Sequence, residues 1–218
     1  MAAVLQIETS WAAWLAALEG KGVAAAFLAR PGANEEQLVE LEALVGARLP
    51  VDVRALYRLA DGQHNICAVR DRPKGRLLAP LFGGYEFNSL ERIAFHWGGW
   101  RDLREQSAPE QLEADFDDSV EVRAGHPVRK LYTHAAWIPF ATDGGGNSLA
   151  IDLDPTPGGT RGQVIVIGPD EDIRRVLAPS VAEFIAALTP LLEVGRLTIG
   201  APGDDAVVLF AIEPGMLQ

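Results

Sequence analysis

Oxygen-bearing side chains that suit a hard cation such as calcium crowd one stretch of the chain: Asp143, Asn147, Asp152 and Asp154. Their spacing is not the alternating one of a calcium loop. Asp152 also falls within a strand pattern, on the face opposite Leu149, Ile151 and Leu153. The run Gly144-Gly145-Gly146 offers backbone N–H groups that can cradle an anion. It lacks the Lys-Ser/Thr of a nucleotide loop, precedes a strand and carries Asp143 beside it, so it reads as a hairpin turn. His64, His96, His126 and His134 are isolated, with no zinc-helix spacing. No serine has the flanking glycines of a nucleophile elbow. Cys67 lies near Arg70 and Arg72, which favour a thiolate, yet no base accompanies it. Trp97, Trp100 and Trp137 read as core rather than as a ligand cage. The expectation is a protein without catalytic residues, metal or cofactor.

The elements that would hold these residues start with a helix over about 10–30, Ser10 as its N-cap and Trp11, Trp14, Leu15 and Leu18 as its stripe. Asn34 and Gln37 form a capping-box variant for a helix carrying Leu38, Leu41, Leu44 and Val45 and closed by Gly46. Leu49-Pro50 leads into a second helix with Val53, Leu56, Tyr57 and Ala60 inward, stopped by Gly62. Leu77 to Phe82 reads as a strand, and Asn88 with Glu91 as the start of the helix bearing Ile93, Trp97, Trp100 and Leu103. A meander of three strands, 137–142, 148–153 and 163–167, follows. Ser180 and Glu183 then cap the most regular helix, with Phe184 on its apolar face, Pro190 bending it and Gly195 ending it. The tail reads as an extra hairpin.

The chain has 218 residues, 19 Lys+Arg against 30 Asp+Glu, and a net charge of −11. That balance argues against a binder of the nucleic-acid backbone. No run reaches the roughly 18 apolar residues of a membrane span, and the start lacks the basic n-region of a secretory signal. A cytoplasmic protein is expected. The acidic residues gather at Glu110, Glu113, Asp115, Asp117, Asp118 and Glu121, and again at Asp170, Glu171 and Asp172. Two such segments can steer and pair a basic protein partner, or can simply be a solvated face.

Seven pieces in order resemble the SUKH superfamily, which includes the Smi/Knr-type cell wall assembly regulators. Leu41-Glu-Ala-Leu-Val-Gly-Ala-Arg-Leu-Pro50-Val-Asp-Val-Arg-Ala-Leu-Tyr57 with Asp61-Gly62 is similar to its opening helical hairpin. Phe87-Asn-Ser-Leu-Glu-Arg-Ile93 is similar to its strand-to-helix step. Trp137-Ile-Pro139-Phe140, Asp143-Gly-Gly-Gly-Asn147 and Leu149-Ala-Ile-Asp152-Leu-Asp-Pro155 resemble its central hairpin. Gly162-Gln-Val164 and Ser180-Val-Ala-Glu-Phe184-Ile185 resemble its closing strand and helix. The resemblance implies an α+β fold, a mainly antiparallel sheet with helices packed around it, over residues 34–195. Residues 1–33 become an N-terminal helical addition and 196–218 a C-terminal hairpin extension. It further implies a non-enzymatic protein-binding module: a bacterial immunity protein neutralising a basic, nuclease-type toxin through the acidic surface, or a regulatory scaffold of the Smi/Knr kind. A small-molecule binder or enzyme using the tryptophans with Asp143 or Asp152 is the remaining alternative. Pro50, Gly62, Trp137, Pro139, the Asp143–Asn147 turn, Asp152 and Phe184 are read as specifying the fold.

Overall fold

The computed structural model of the chain describes residues 2–108, 110–112 and 116–197. The C-terminal hairpin expected from 198 onward, and Glu113 and Asp115 of the acidic segment, lie outside the described residues.

Helix α1 (Ala2–Gly20) buries Ile7, Trp11, Trp14 and Leu18. Ser10 is therefore mid-helix and not an N-cap: Ile7 belongs to the same stripe as Trp11 and Trp14, which carries the helix back to Ala2. After the one-turn α2 (Ala25–Leu28), the Asn34 capping box closes in both directions at 2.9 Å and opens α3 (Glu35–Val45). Gly46 ends α3 in the left-handed region at φ 70°. Pro50 is the N-cap residue of α4 (Val51–Leu59). Leu77 to Phe82 is not a strand and makes only isolated bridges, Val23 with Leu77 and Phe82 with Tyr85. Pro80 has no N–H to give, and the Leu81 N–H donates to the Gln63 side chain at 2.8 Å instead of to a ladder.

Strand β1 (Glu86–Phe87) leads into α5 (Leu90–Gln106). Its N-cap is Ser89, one residue beyond the expected Asn88. Asn88 is fully buried and has other work: its Nδ2 donates to Pro139 O at 3.0 Å, and its Oδ1 accepts from the Thr142 hydroxyl at 3.0 Å. The strands β2 (Glu121–Val122), β3 (Trp137–Thr142), β4 (Ser148–Asp152), β5 (Gln163–Ile167) and β6 (Ile173–Ala178) complete one sheet in the order β1-β3-β4-β5-β6-β2. Every pairing is antiparallel except β2 with β6. The register shifts between Pro139 and Ala141, a bulge that lets proline sit in a paired strand. The sequence reading has no counterpart of β6, because Arg174-Arg175 break its apolar pattern.

Helix α6 (Val181–Glu193) starts where the Ser180 hydroxyl accepts from Glu183 N at 3.1 Å. It rests on β5 and β6, α1 packs on α6 and α4, and α5 lies on β3. The main core runs between these helices and the Leu149, Ile151, Val164 and Val166 face of the sheet, with Phe184 fully buried in it. The other face is covered too. Ala150, Ile165, Ile167 and Trp137 pack there with Val128, so β4 and β5 are buried on both sides. Among the described residues no helix is long and apolar enough to cross a membrane.

Candidate interaction surface

Two acidic segments fifty residues apart in the chain are joined by the parallel pairing of β2 and β6, with Glu121 opposite Ile173 and Val122 opposite Arg174. The Glu121 N–H donates to Asp172 O at 2.8 Å, and Arg123 N–H to Arg174 O at 3.0 Å. Beneath this seam lies Arg174, fully buried. Its guanidinium donates to main-chain carbonyls: Leu131 O at 3.1 Å, Tyr132 O at 2.9 Å, Gly168 O at 3.5 Å and Glu171 O. It also lies 5.6 Å from the centre of the Tyr132 ring. Burial pulls its pKa down to about 10, opposed by the charges of Glu171, Asp172 and Asp117. The group is still a cation at neutral pH. A buried cation requires negative charge near it, which is a structural reason for part of the acidic cluster.

The acidic residues divide accordingly. Asp117 accepts from Tyr132 N–H at 2.5 Å. Glu171 takes the Arg175 guanidinium at 2.8 Å and the Tyr85 hydroxyl at 3.4 Å. Burial, then the Glu171 and Asp143 charges, raise the Tyr85 hydroxyl pKa. Asp170 is held by Asn147, whose Oδ1 accepts from Asp170 N at 3.0 Å. Asp170 and Asp172 both act on the Tyr132 hydroxyl, whose pKa is raised chiefly by burial. Asp118, Glu121 and Asp172 are exposed, and none of the three forms an ion pair with a described residue within contact distance. Glu110 is exposed on a separate helical turn, and Glu113 and Asp115 are outside the described residues. The structure thus brings together Asp117, Asp118, Glu121, Asp170, Glu171 and Asp172.

The residues read as fold-specifying have local duties. Asp143 Oδ1 accepts from Gly145 N at 2.7 Å and Asn147 N at 3.0 Å, while its Oδ2 accepts from Asn147 Nδ2 at 2.7 Å. Gly144 and Gly146 take φ of 84° and 109°, which closes the turn. Asp152 is fully buried at the far end of β4. It accepts from Asp154 N at 3.0 Å and Gln163 Nε2 at 2.9 Å, and burial pushes its carboxyl pKa up. A whole strand separates Asp143 from Asp152, so they do not share one ion site. No group of three His, Cys, Asp or Glu among the described residues has a metal-holding arrangement. Trp137 is buried, and Trp97 donates from Nε1 to Ala135 O at 2.9 Å, while Trp100 lies half-buried against Tyr132. Gly62, at φ 75°, lies so close to α5 that a Cβ would stand 2.3 Å from Ser89 N.

Sequence reasoning missed Arg174, Tyr132 and Asn88. An arginine pair before Val176-Leu-Ala178 was a signal, since charge inside a strand pattern demands an internal partner.

A six-stranded, mostly antiparallel sheet with helices packed around it defines an α+β domain of the SUKH type. The family described as SMI1 / KNR4 family (SUKH-1) matches residues 32–187, and the chain belongs to it. It is 35% identical over 183 residues to the "Cell wall biosynthesis/cell cycle regulator smi1" of Schizosaccharomyces pombe, covering 82% of this chain and 34% of that protein. It is 29% identical to the "Glucan synthesis regulatory protein" of Neurospora crassa (76% of this chain, 34% of that protein). It is 24% identical to the "Cell wall assembly regulator SMI1" of Saccharomyces cerevisiae (79% and 37%). The chain spans about a third of the length of these curated relatives. They are named as regulators and not as enzymes.

Proposed function

We propose that the chain is a non-catalytic, protein-binding regulatory module of the Smi/Knr kind, working in the cytoplasm and docking a basic surface of its partner on the acidic β2/β6 edge. The observation that carries this reading is the convergence of Asp118, Glu121 and Asp172, exposed and unpaired with any described residue, over a seam locked by Arg174. Opposite potentials steer a basic partner from a distance and make its capture salt-dependent. An immunity protein facing a basic toxin would use the same edge. That reading takes second place, because the relatives are fungal and named for cell wall and glucan-synthesis regulation. In this reading residues 34–195 form the binding domain, with 1–33 and 196–218 as additions to it.

The test is affinity capture from the native host with the wild-type chain and with a triple variant, Asp118→Lys, Glu121→Lys and Asp172→Lys. The expected result is a partner retained at low salt, released at high salt and lost from the variant. A partner set unchanged by the three reversals would refute the docking face. Growth protection against a co-encoded toxin, lost in the same variant, would favour the immunity reading.

A further inference from the structure

Helices α3 and α5 pack against each other and leave an open groove of about 320 Å³ between them. Its α3 wall is made by Glu40, Leu41 and Leu44, and its α5 wall by Leu90, Glu91 and Ala94. On α3, Gln37 joins Glu40, Leu41 and Leu44 at the i, i+3, i+4 and i+7 spacing of a single helix face. The α5 wall is fixed by Asp61, whose carboxylate accepts from Leu90 N at 2.8 Å and holds the helix start in place.

The floor is apolar and the rim is acidic. Leu41 and Leu90 are buried, but Leu44 keeps 42% of its surface in water. Ala94, on the facing helix, has only a methyl group to offer, so the space stays open. Arg30 and Asp61 also line the groove and pair at 3.4 Å, so together they add no net charge. Glu40 and Glu91 are exposed, one on each wall, and neither forms an ion pair with a described residue. In the adjoining hollow, which shares Arg30 and Glu91, Arg92 is likewise taken by Glu86 at 2.6 Å. The uncompensated charge around the leucines is therefore negative on both sides.

We propose that this groove docks a basic amphipathic helix of a partner protein. The partner sets leucine-type side chains against Leu41, Leu44 and Leu90, and a lysine or arginine beside each of Glu40 and Glu91. Charge complementarity selects the sign of the occupant: cations on its flanks meet the two uncompensated carboxylates, whereas an acidic segment meets like charge. The shape selects a helix, since a third helix packs its ridge of i, i+4 side chains into the furrow between two others. From Gln37 to Leu44, α3 advances about 10 Å, a length matched by two turns of such a helix. A second copy of this chain suits the groove less, because a two-fold contact there sets Glu40 and Glu91 against their own counterparts. This site shares no residue with the acidic β2/β6 edge and does not depend on it.

The experiment is a titration of the isotope-labelled full chain, followed by amide NMR shifts, with the capped peptide acetyl-Ala-Lys-Leu-Lys-Ala-Leu-Leu-Ala-Ala-amide. On a helix its leucines share one face, with a lysine at each flank. One comparison peptide has Glu in place of both lysines, and another has Ala in place of the leucines. The expected result is shifts at residues 37–44 and 90–94, with the Glu peptide at least about fivefold weaker and the Ala peptide at least about tenfold weaker. Ala94→Phe, which fills the groove, should weaken the lysine peptide at least about fivefold. Glu40→Gln with Glu91→Gln, at exposed positions where the fold is kept, should weaken it about threefold or more. No shifts, shifts confined to the β2/β6 edge, equal binding of either comparison peptide, or a double Gln variant that binds like the wild type would each overturn the proposal. Shifts at the same residues that grow with protein concentration alone would give the groove to a second copy and overturn it too. The triple variant of the acidic edge should leave the groove shifts unchanged, so failure of one site is distinguishable from failure of the other.

Discussion

Arg174, at the β6/β2 end of the sheet, and the pair Arg30 and Arg92, at the β1 end, use the same side chain in opposite ways. Arg174 is fully buried, and its donors go to carbonyls of Leu131, Tyr132, Gly168 and Glu171, which fixes the loops that carry the acidic residues. Arg30 and Arg92 each hold one carboxylate and keep about a third of their surface in solvent. A buried cation organises what is around it, because withdrawing any partner leaves charge in a poorly solvating interior. A partly exposed one shares its donors between its carboxylate and water, so each pair contributes little to stability. The same chemistry therefore gives a buried tie between loops at one end and partly solvated ion pairs at the other.

The largest expected effect breaks the scaffolding end. Arg174→Met removes every one of those carbonyl contacts and should cost about 3–5 kcal/mol. Urea unfolding measures the loss, and hydrogen exchange at the Glu121 amide should speed up more than exchange in β4. If the variant kept wild-type stability, the idea of a cation-locked seam would be wrong. The matching change at the other end is Gly62→Ala. A Cβ there would stand 2.3 Å from Ser89 N at a φ of 75°, so both strain and a clash with α5 are forced. About 2–4 kcal/mol should be lost, read as a lower urea midpoint together with disturbed amide shifts across Ser89–Arg92.

These two residues also show where the sequence was legible. The Asn34 and Ser180 caps could be read because each partner lies three residues away. The Asp143 turn could be read for the same reason, since its acceptor bonds reach only two to four residues on. Asn88 reads as a cap because its neighbours fit one, whereas its partners Tyr57, Pro139 and Thr142 stand 31, 51 and 54 residues distant. The Arg174-Arg175 pair is itself a signal in the sequence, but its role is unreadable on the same ground, since the Leu131 and Tyr132 carbonyls that Arg174 meets lie 43 and 42 residues away. The acidic segments were visible as composition, but their union required the parallel β2–β6 pair. Two-residue strands carry no periodicity to detect.

A smaller, pH-dependent effect reports on both ends at once. His126, whose Nδ1 accepts from Val176 N at 3.0 Å on β6, has its pKa lowered, first by burial and then by Arg123 and Arg175. His96, on α5, is lowered by burial and by Arg92. A histidine with a folded pKa below its ordinary value binds fewer protons in the native state than in the unfolded chain. Stability is therefore full above about pH 6.5 and is lost as pH falls through the folded values. The urea midpoint should drop between pH 7.5 and 5.5. His126→Gln and His96→Gln should each flatten part of that slope, one at each end. A slope unchanged in both variants would exclude His126 and His96 as its source and leave His134, whose pKa burial also lowers.

The smallest effect on stability is the sharpest test of the contrast. Asp118 and Glu121 are exposed and form no ion pair with a described residue, so Asp118→Lys with Glu121→Lys should alter unfolding free energy by no more than about 0.5 kcal/mol. The exposed carboxylates would then be dispensable to the seam that Arg174 holds beneath them. Capture of a basic partner should nonetheless fall steeply, chiefly through a slower association rate and a weaker dependence on salt. A double variant that lost several kcal/mol would place Asp118 and Glu121 with Asp117 and Glu171, as counter-charges to the buried arginine. The acidic edge would then be scaffold throughout.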